Sequence, residues 1–153
     1  GGQRGVFWAA GGLDGGRVVE VAVKVFKTSV LVFRDRDAYV SGDYRFRHGY
    51  SKNPRKMVKL WAEKEFRNLH RIYAAGLPCP RPIRLKTHIL IMQMLGSQGN
   101  PAPKLKDADL DGPGWERAYN ETFSIMWTMY HTCHLVHGDL SEYNLLYHDG
   151  KVA

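Results

Sequence analysis

The stretch His137-Gly-Asp-Leu-Ser-Glu-Tyr-Asn144 decides the fold of this chain. It has the spacing H-x-D-x-x-x-x-N, in which an amide follows a carboxylate by five residues. At that spacing a loop carboxylate can orient a hydroxyl group and accept its proton, while the amide oxygen helps to hold a metal ion that neutralises phosphate charge. The stretch therefore predicts a phosphoryl-transfer loop, with Asp139 as the catalytic group, Asn144 as a metal ligand and His137 as a brace.

A glycine-rich hairpin is predicted near the beginning of the chain. Residues 5–9 and 17–26 have strand composition, and residues 11–16 between them are predicted as the turn. Because side chains alternate between the two faces of a strand, Ala22 and Lys24 point the same way. The pattern Ala-Val-Lys in such a strand is found ahead of the H-x-D loop in protein kinases.

Residues 58–75 are predicted to form a helix, which ends at Gly76 and Pro78. At 100° per residue, one arc of roughly 140° carries most of the apolar side chains, namely Trp61, Ala62, Phe66, Leu69, Ile72 and Tyr73. Glu65 falls inside this arc, where an unpaired carboxylate would cost several kcal/mol. We expect Lys24 to be its partner, and the alternative is that Glu65 reaches solvent.

The middle of the chain predicts a second strand pair and a change of architecture. Residues 83–86 and 88–94 are predicted as paired strands, and 96–103 as a flexible connector at a domain boundary. Residues 114–134 are predicted as a core helix, and 145–147 with 151–153 as a small hairpin. The predicted core side chains of that helix are Trp115, Tyr119, Phe123, Met126, Met129, Tyr130 and Cys133.

Composition excludes several classes of protein. With 153 residues, 44% hydrophobic and 24% charged, the chain is long enough for one folded core but short for a two-lobed kinase. Its apolar runs are far shorter than the roughly 18 to 20 residues of a membrane helix, so no membrane partner is expected. Cys79 and Cys133 are its two cysteines, which favours a reducing compartment, cytoplasm or nucleus.

Positive charge is concentrated in residues 34–59, where eight Lys or Arg stand against three Asp, a local net charge of +5. Aromatic residues are interleaved with these charges. Such a segment is suited to contact with RNA phosphates and bases, and its alternative interpretation is a solvated basic face.

The sequence resembles the RIO family of atypical serine/threonine protein kinases, and specifically its type-one branch. The match covers nearly the whole chain. Its most specific motifs are Lys27-Thr-Ser-Val-Leu-Val-Phe-Arg-Asp-Arg-Asp37, Tyr39-Val-Ser-Gly-Asp-Tyr-Arg-Phe-Arg-His-Gly-Tyr50, Asn53-Pro-Arg-Lys-Met-Val-Lys59, Trp61-Ala-Glu-Lys-Glu-Phe-Arg-Asn-Leu69 and the stretch 137–144.

The resemblance implies an α+β, protein kinase-like fold. Residues 1–95 would be the ATP-binding N-terminal lobe, an antiparallel sheet with one main helix and a basic flexible loop at 28–59. Residues 96–103 would be the linker, and 104–153 the start of a helical C-terminal lobe that carries the catalytic loop. The metal-binding Asp segment would follow Ala153, so the chain is expected to be a fragment.

The resemblance also implies ATP and Mg²⁺ as cofactors and gives each site residue a role. Lys24 would contact the phosphates and pair with Glu65, and Ala22 would line the adenine pocket. Met92 would be the gatekeeper, and Gln93 and Leu95 would offer backbone hydrogen bonds to adenine. Asp139 would be catalytic, and Asn144 would hold the metal.

The implied function is that of a serine/threonine kinase or ATPase in maturation of the small ribosomal subunit. The expected partners are a protein substrate or the protein itself, and the pre-ribosomal particle, with rRNA contact through residues 34–59. The expected location is the cytoplasm, extending to the nucleus.

Departures from conventional kinases are part of the pattern. Gly138 stands where they carry an Arg that receives an activation-loop phosphate, so no such switch is expected. Ser141 replaces their loop Lys, as the RIO pattern also does. Residues 1–5 stand where the family's phosphate-covering loop ends, and they lack its usual Ser-Thr-Gly-Lys-Glu-type run.

Three alternatives remain open at this point. Aminoglycoside-type small-molecule phosphotransferases also use a His-Gly-Asp loop. A particle- or RNA-binding fragment without turnover is also compatible with the basic segment. A zinc site could combine side chains near the loop, namely His131, Cys133, His134 and His137.

Overall fold

The computed structural model describes residues 5–14, 17–27 and 54–153, and every structural statement below refers to these ranges. They form an α+β fold, in which a four-stranded antiparallel sheet and a long helix precede a second long helix and two short hairpins. The strands are β1 Gly5–Asp14, β2 Arg17–Val25, β3 Pro82–Lys86, β4 Ile89–Gln93, β5 Gly96–Ser97, β6 Asn100–Pro101, β7 Tyr147–His148 and β8 Lys151–Val152. The α-helices are α1 Pro54–Ala74 and α2 Gly112–His131, and a short 3-10 helix spans Leu105–Asp107.

The N-terminal sheet has the strand order β1-β2-β4-β3. In its central pair, Ala22 lies opposite Met92 and Lys24 lies opposite Leu90. The glycine-rich turn predicted at 11–16 is wrong in extent, since strand β1 continues to Asp14. The β1–β2 register shifts between Ala10 and Gly12, and such an irregularity lets a glycine-rich segment stay paired.

Helix α1 begins at Pro54, four residues before the predicted start at Val58. Proline suits the first position of a helix because its fixed φ is already helical and it has no N–H to satisfy. Met57 and Val58 are 2% and 1% exposed, so the buried stripe extends back into this first turn. The predicted loop at 28–59 is therefore wrong for 54–59, and its remainder, 28–53, lies outside the described residues.

The hydrophobic core of the N-terminal part lies between α1 and the sheet. Val58 and Ala62 on the helix meet Phe26 and Leu90 on the sheet side. Partly buried side chains surround this cluster, namely Trp61, Phe66, Leu69, Leu85 and Met92. The helix is thereby fixed against the strand that carries Lys24.

Helix α2 follows an N-cap at Asp111, whose carboxylate accepts a hydrogen bond from the Gly114 N–H at 2.7 Å. A second core cluster lies beneath the helix and is formed by Leu105, Ala118, Leu145 and Val152. The Glu121 carboxylate also accepts a hydrogen bond from the Val152 N–H at 2.9 Å, which ties the helix to β8.

The prediction of the buried face of α2 was partly wrong. Met129 and Cys133 are buried as predicted, but the larger side chains of that set are exposed by 42–72%, namely Trp115, Tyr119, Phe123, Met126 and Tyr130. The small residues Gly114 and Ala118 set the inward face, because they allow the segments beneath to approach closely.

No helix in the described ranges is long and apolar enough to cross a bilayer.

Candidate active site

Lys24 and Glu65 form an ion pair between strand β2 and helix α1. Their side chains are 14% and 30% exposed, so the pair lies in a partly dry environment. The Lys24 ammonium also lies 5.3 Å from the centre of the Phe26 ring. The ion pair predicted from the strand alternation and the helical arc is thus present. It fixes the ammonium group on the strand face shared with Ala22.

The predicted adenine-pocket residues lie at and just after the linker end of the sheet. Ala22 on β2 is paired with Met92 on β4, and both are half-buried. Gln93 is exposed at the end of β4, and its N–H donates to the Arg81 carbonyl at 2.8 Å. The Leu95 carbonyl accepts from the Ala102 N–H at 2.8 Å. The nucleotide-binding roles of these residues stay predictions.

The loop after α2 brings Asp139 and Asn144 together. The Asn144 side-chain amide donates to the Asp139 carbonyl at 2.7 Å and to the Asp139 carboxylate at 3.2 Å. His137 Nδ1 accepts from the Asp139 N–H at 3.3 Å, consistent with the bracing role predicted for it. Gly138 has φ of 76°, in the left-handed region that favours glycine. Asp139 and Asn144 are both exposed.

The donor set of this loop fits a hard cation such as Mg²⁺. Such a cation prefers oxygen ligands, and Asp139 and Asn144 offer a carboxylate and an amide oxygen. Because the Asn144 nitrogen is directed at Asp139, its side-chain oxygen faces away from Asp139. Within the described part of the chain, no cluster of three or more His, Cys, Asp or Glu could hold a metal ion. Asn144 would therefore supply one ligand of a metal site through its side-chain oxygen.

The zinc alternative does not fit the contacts of three of its four residues. The His131 ring lies against Trp127, with ring centres 4.0 Å apart, and Cys133 is buried. The Cys133 thiol faces the Arg71 carbonyl at 3.8 Å, and His137 is engaged with Asp139. These side chains therefore contact separate parts of the fold.

A short segment before α2, containing Leu105 and Lys106, forms hydrogen bonds with the catalytic loop. The Leu105 N–H donates to the Leu145 carbonyl at 2.8 Å, and the Lys106 N–H donates to the Glu142 carbonyl at 3.2 Å. The Lys106 ammonium lies 5.5 Å from the centre of the Tyr143 ring and pairs with Asp107. Its hydrogen bond to Asp107 raises the pKa of Lys106 above its usual value. Sequence reasoning missed this support, since spacing does not indicate which segment pairs with the loop.

Sequence reasoning also missed two contacts outside the catalytic loop. The Glu20 carboxylate accepts a hydrogen bond from the Gly99 N–H at 2.5 Å. The Arg71 guanidinium donates to the Cys133 carbonyl at 3.2 Å and thereby joins α1 to the end of α2. For Glu20 a signal was available, because alternation along β2 places it on the same face as Ala22 and Lys24.

The chain matches one family model and several curated serine/threonine-protein kinases. The family model described as "RIO domain" matches residues 5–153. The serine/threonine-protein kinase rio1 of Schizosaccharomyces pombe is 61% identical over 133 residues, which are 86% of this chain and 27% of that protein. The human serine/threonine-protein kinase RIO1 is 54% identical, over 86% of this chain and 23% of that protein.

Human serine/threonine-protein kinase RIO3 is 51% identical over 87% of this chain and 26% of its own length. The chain thus spans about a quarter of the length of these curated relatives, between 23% and 27%. Among solved structures, a Rio2 kinase–ADP/Mg²⁺–phosphoaspartate complex from Chaetomium thermophilum matches with a TM-score of 0.60 and 21% identity. The match covers 95% of this chain and 40% of that chain, and it supports the kinase-like fold.

Proposed function

Because this chain belongs to the RIO domain family, we propose that the protein transfers the γ-phosphoryl group of ATP to serine or threonine hydroxyl groups. The family membership and the α+β fold agree with the sequence-based expectation. The proposal concerns the transferase activity of the whole protein, its substrates and its partners.

The Lys24–Glu65 ion pair carries this proposal. A lysine on a strand, paired with a glutamate on the adjoining helix, is the arrangement that positions ATP phosphates in protein kinases. Here the two residues lie 41 positions apart in sequence and meet in a partly buried place. The carboxylate holds the lysine ammonium group in a fixed position, as phosphate binding requires.

The catalytic loop would act on the hydroxyl that attacks the phosphoryl group. The Asp139 carboxylate would orient the serine or threonine hydroxyl and accept its proton as the oxygen–phosphorus bond forms. The bond between the γ-phosphorus and the bridging oxygen breaks, and ADP leaves. The Asn144 side chain, which donates to Asp139, holds this carboxylate in place.

Mg²⁺ is the proposed metal, with the Asn144 amide oxygen as one ligand. The ion would neutralise the charge of the phosphates when it is bound. The Rio2 kinase of Chaetomium thermophilum was solved with ADP and Mg²⁺, which supports the same cofactors for this protein. ATP hydrolysis is proposed as an accompanying activity.

The proposed setting is maturation of the small ribosomal subunit, in the cytoplasm or nucleus. The supporting observation is the basic segment 34–59, whose described part lies at the start of α1. There Arg55, Lys56 and Lys59 are exposed, and the first turn of α1 contains no acidic residue. Such a surface is complementary to RNA phosphates of a pre-ribosomal particle.

The proposed activity is tested with the purified full-length protein, Mg²⁺ and labelled ATP. The acceptors are the protein itself, a small-subunit assembly protein, and an aminoglycoside as the competing class. We expect phosphoserine or phosphothreonine in the protein acceptors, and loss of turnover in Lys24→Ala and Asp139→Ala. Phosphorylation of the aminoglycoside alone, or equal turnover in all three proteins, would refute the proposal.

RNA contact requires a separate measurement. Binding of a small-subunit rRNA fragment should weaken steeply with salt, since each phosphate contact releases counterions. Salt-dependent binding by an Asp139→Ala variant, without ATP turnover in the wild type, would favour the binding-only alternative instead. Absence of binding at low salt would exclude RNA contact through this segment.

A further inference from the structure

The linker between the two parts of the fold contains a tight hairpin, β5–β6. Ser97 pairs with Asn100, so Gln98 and Gly99 alone form the turn. Their φ values are 52° and 79°, both in the left-handed region. Two successive residues with positive φ form a type I′ turn, whose twist matches that of the paired strands. The turn therefore gives this part of the linker a defined shape.

The other end of the hairpin is fixed by close packing at Gly96. Its φ is 150°, and a Cβ atom there would lie 2.1 Å from the Asn100 carbonyl oxygen. Only glycine allows this approach. The adjoining Leu95 carbonyl accepts from the Ala102 N–H at 2.8 Å, which closes the base of the hairpin.

Glu20 on strand β2 holds this hairpin at two points. Its backbone carbonyl accepts a hydrogen bond from the Met94 N–H at 3.0 Å, just before the hairpin. Its carboxylate accepts a hydrogen bond from the Gly99 N–H at 2.5 Å, at the tip. The side chain is half-buried, and its acceptor is charged, so the second contact is of the stronger kind of hydrogen bond.

We propose that Glu20 is a positioning residue that orients the linker backbone toward the base of the bound nucleotide and thereby sets ATP affinity and base preference. This inference rests on the proposed function and on the prediction that backbone groups of Gln93 and Leu95 face adenine. Glu20 itself acts through Gly99 and Met94.

The physical basis is the short chain between the contacts. Leu95 lies between Met94, held by the Glu20 carbonyl, and the hairpin, held by the Glu20 carboxylate. Without the carboxylate, the hairpin can rotate about its base and carry the Leu95 backbone with it. Lys24 lies on the same strand, four residues from Glu20, and keeps its own partner on α1. Loss of the carboxylate should therefore affect nucleotide binding rather than the chemical step.

The experiment compares Glu20→Ala and Glu20→Gln with wild type in the full-length protein. Glu116→Gln, an exposed acid on α2, is the matched control. KM and kcat are measured with ATP and GTP, and equilibrium binding is measured with a fluorescent ATP analogue. The unfolding midpoint of each variant shows that the compared proteins are folded.

For Glu20→Ala we expect KM for ATP to rise about tenfold, toward the lower end of the effect of one charge-assisted hydrogen bond. We expect kcat to change less than about twofold and the preference for ATP over GTP to fall, because base contacts, and not phosphate contacts, are disturbed. Glu20→Gln retains an acceptor oxygen and should show a smaller rise. The control should match wild type.

An unchanged KM for ATP, or a fall in kcat at constant KM, would overturn the inference. A parallel loss for ATP and GTP would also overturn it, since that is the signature of a merely structural residue. The proposed function is judged separately. If wild type binds the ATP analogue more tightly than the Glu20 variants but shows no turnover, the inference stands and the proposed activity is refuted. If turnover is normal and the Glu20 variants bind the analogue as wild type does, the activity stands and the inference is refuted.

Discussion

The Lys24 ammonium and the Glu65 carboxylate join the central strand of the sheet to helix α1 across 41 residues of sequence. The pair is more buried than the surface pair between Lys59 and Glu63, whose atoms lie 3.8 Å apart with side chains 60% and 38% exposed. Partly buried, hydrogen-bonded charges depend on each other far more than exposed ones do.

We therefore expect Lys24→Met to lower kcat/KM for ATP by about a hundredfold or more, since a positioned phosphate-binding group is lost. Glu65→Gln should cost at least about tenfold, because the lysine loses its charged partner. The control Lys59→Met should remain within about twofold, as expected of an exposed pair. Steady-state kinetics would measure all three, and equal effects of Lys24→Met and Lys59→Met would contradict this role.

Asn144→Ala should raise the Mg²⁺ concentration required for half-maximal activity by about tenfold to a hundredfold. The substitution removes the proposed ligand oxygen and the hydrogen bonds that hold Asp139. A Mg²⁺ titration at saturating ATP provides the measurement. Asn120→Ala, an exposed asparagine on α2, serves as the control. An unchanged Mg²⁺ requirement in Asn144→Ala would argue against metal contact at this residue.

Leu90→Ala should destabilise the protein by about 2–5 kcal/mol, because it leaves a cavity in the core between α1 and the sheet. Leu90 is 0% exposed and packs with Phe26, Val58 and Ala62. Val136→Ala, at a position 78% exposed, should cost less than about 0.5 kcal/mol. Urea unfolding of both variants tests the contrast. Similar losses from the two substitutions would show that this cluster is not a main source of stability.

Cys79 should make stability fall at alkaline pH. Burial, with Cys133 nearby, raises the pKa of its thiol from 9.0 to about 11. Between these values the unfolded chain has lost the proton and the folded chain keeps it, so rising pH favours unfolding. The contribution is fully present below pH 9.0 and is lost as pH approaches about 11.

The test compares the urea midpoints of wild type and Cys79→Ala across this range. Wild type should lose more stability than the variant as pH rises, and parallel curves would contradict the raised pKa. The native thiol should also react slowly with iodoacetamide at pH 8, since the thiolate is the reactive form. Unfolded protein in urea provides the fast reference.

The site was predictable where one periodicity or one spacing contained the information. Strand alternation and the helical arc together indicated that Lys24 and Glu65 should meet, and they do. The five-residue spacing from Asp139 to Asn144 closes a loop in which their side chains touch. Both relationships follow from regular local geometry, namely strand alternation, helical periodicity and a fixed spacing within a loop.

Other features depend on interactions that local patterns do not encode. The Glu20–Gly99 contact joins positions 79 residues apart and depends on the shape of the linker hairpin. The start of α1 at Pro54 was missed because an Asn-Pro pair also suits a chain break. The aromatic residues of α2 have helical spacing, but spacing alone cannot indicate which face meets a neighbour.

The contact between Arg71 and Cys133 has a mechanical consequence. The guanidinium-to-carbonyl hydrogen bond of 3.2 Å connects the end of α1 to the residues after α2, away from the linker hairpin. Within the described residues, this contact adds an attachment between the two halves of the fold to the one that the linker provides. A motion that separates α1 from the segment after α2 must break this hydrogen bond, whereas a motion that keeps their distance leaves it intact.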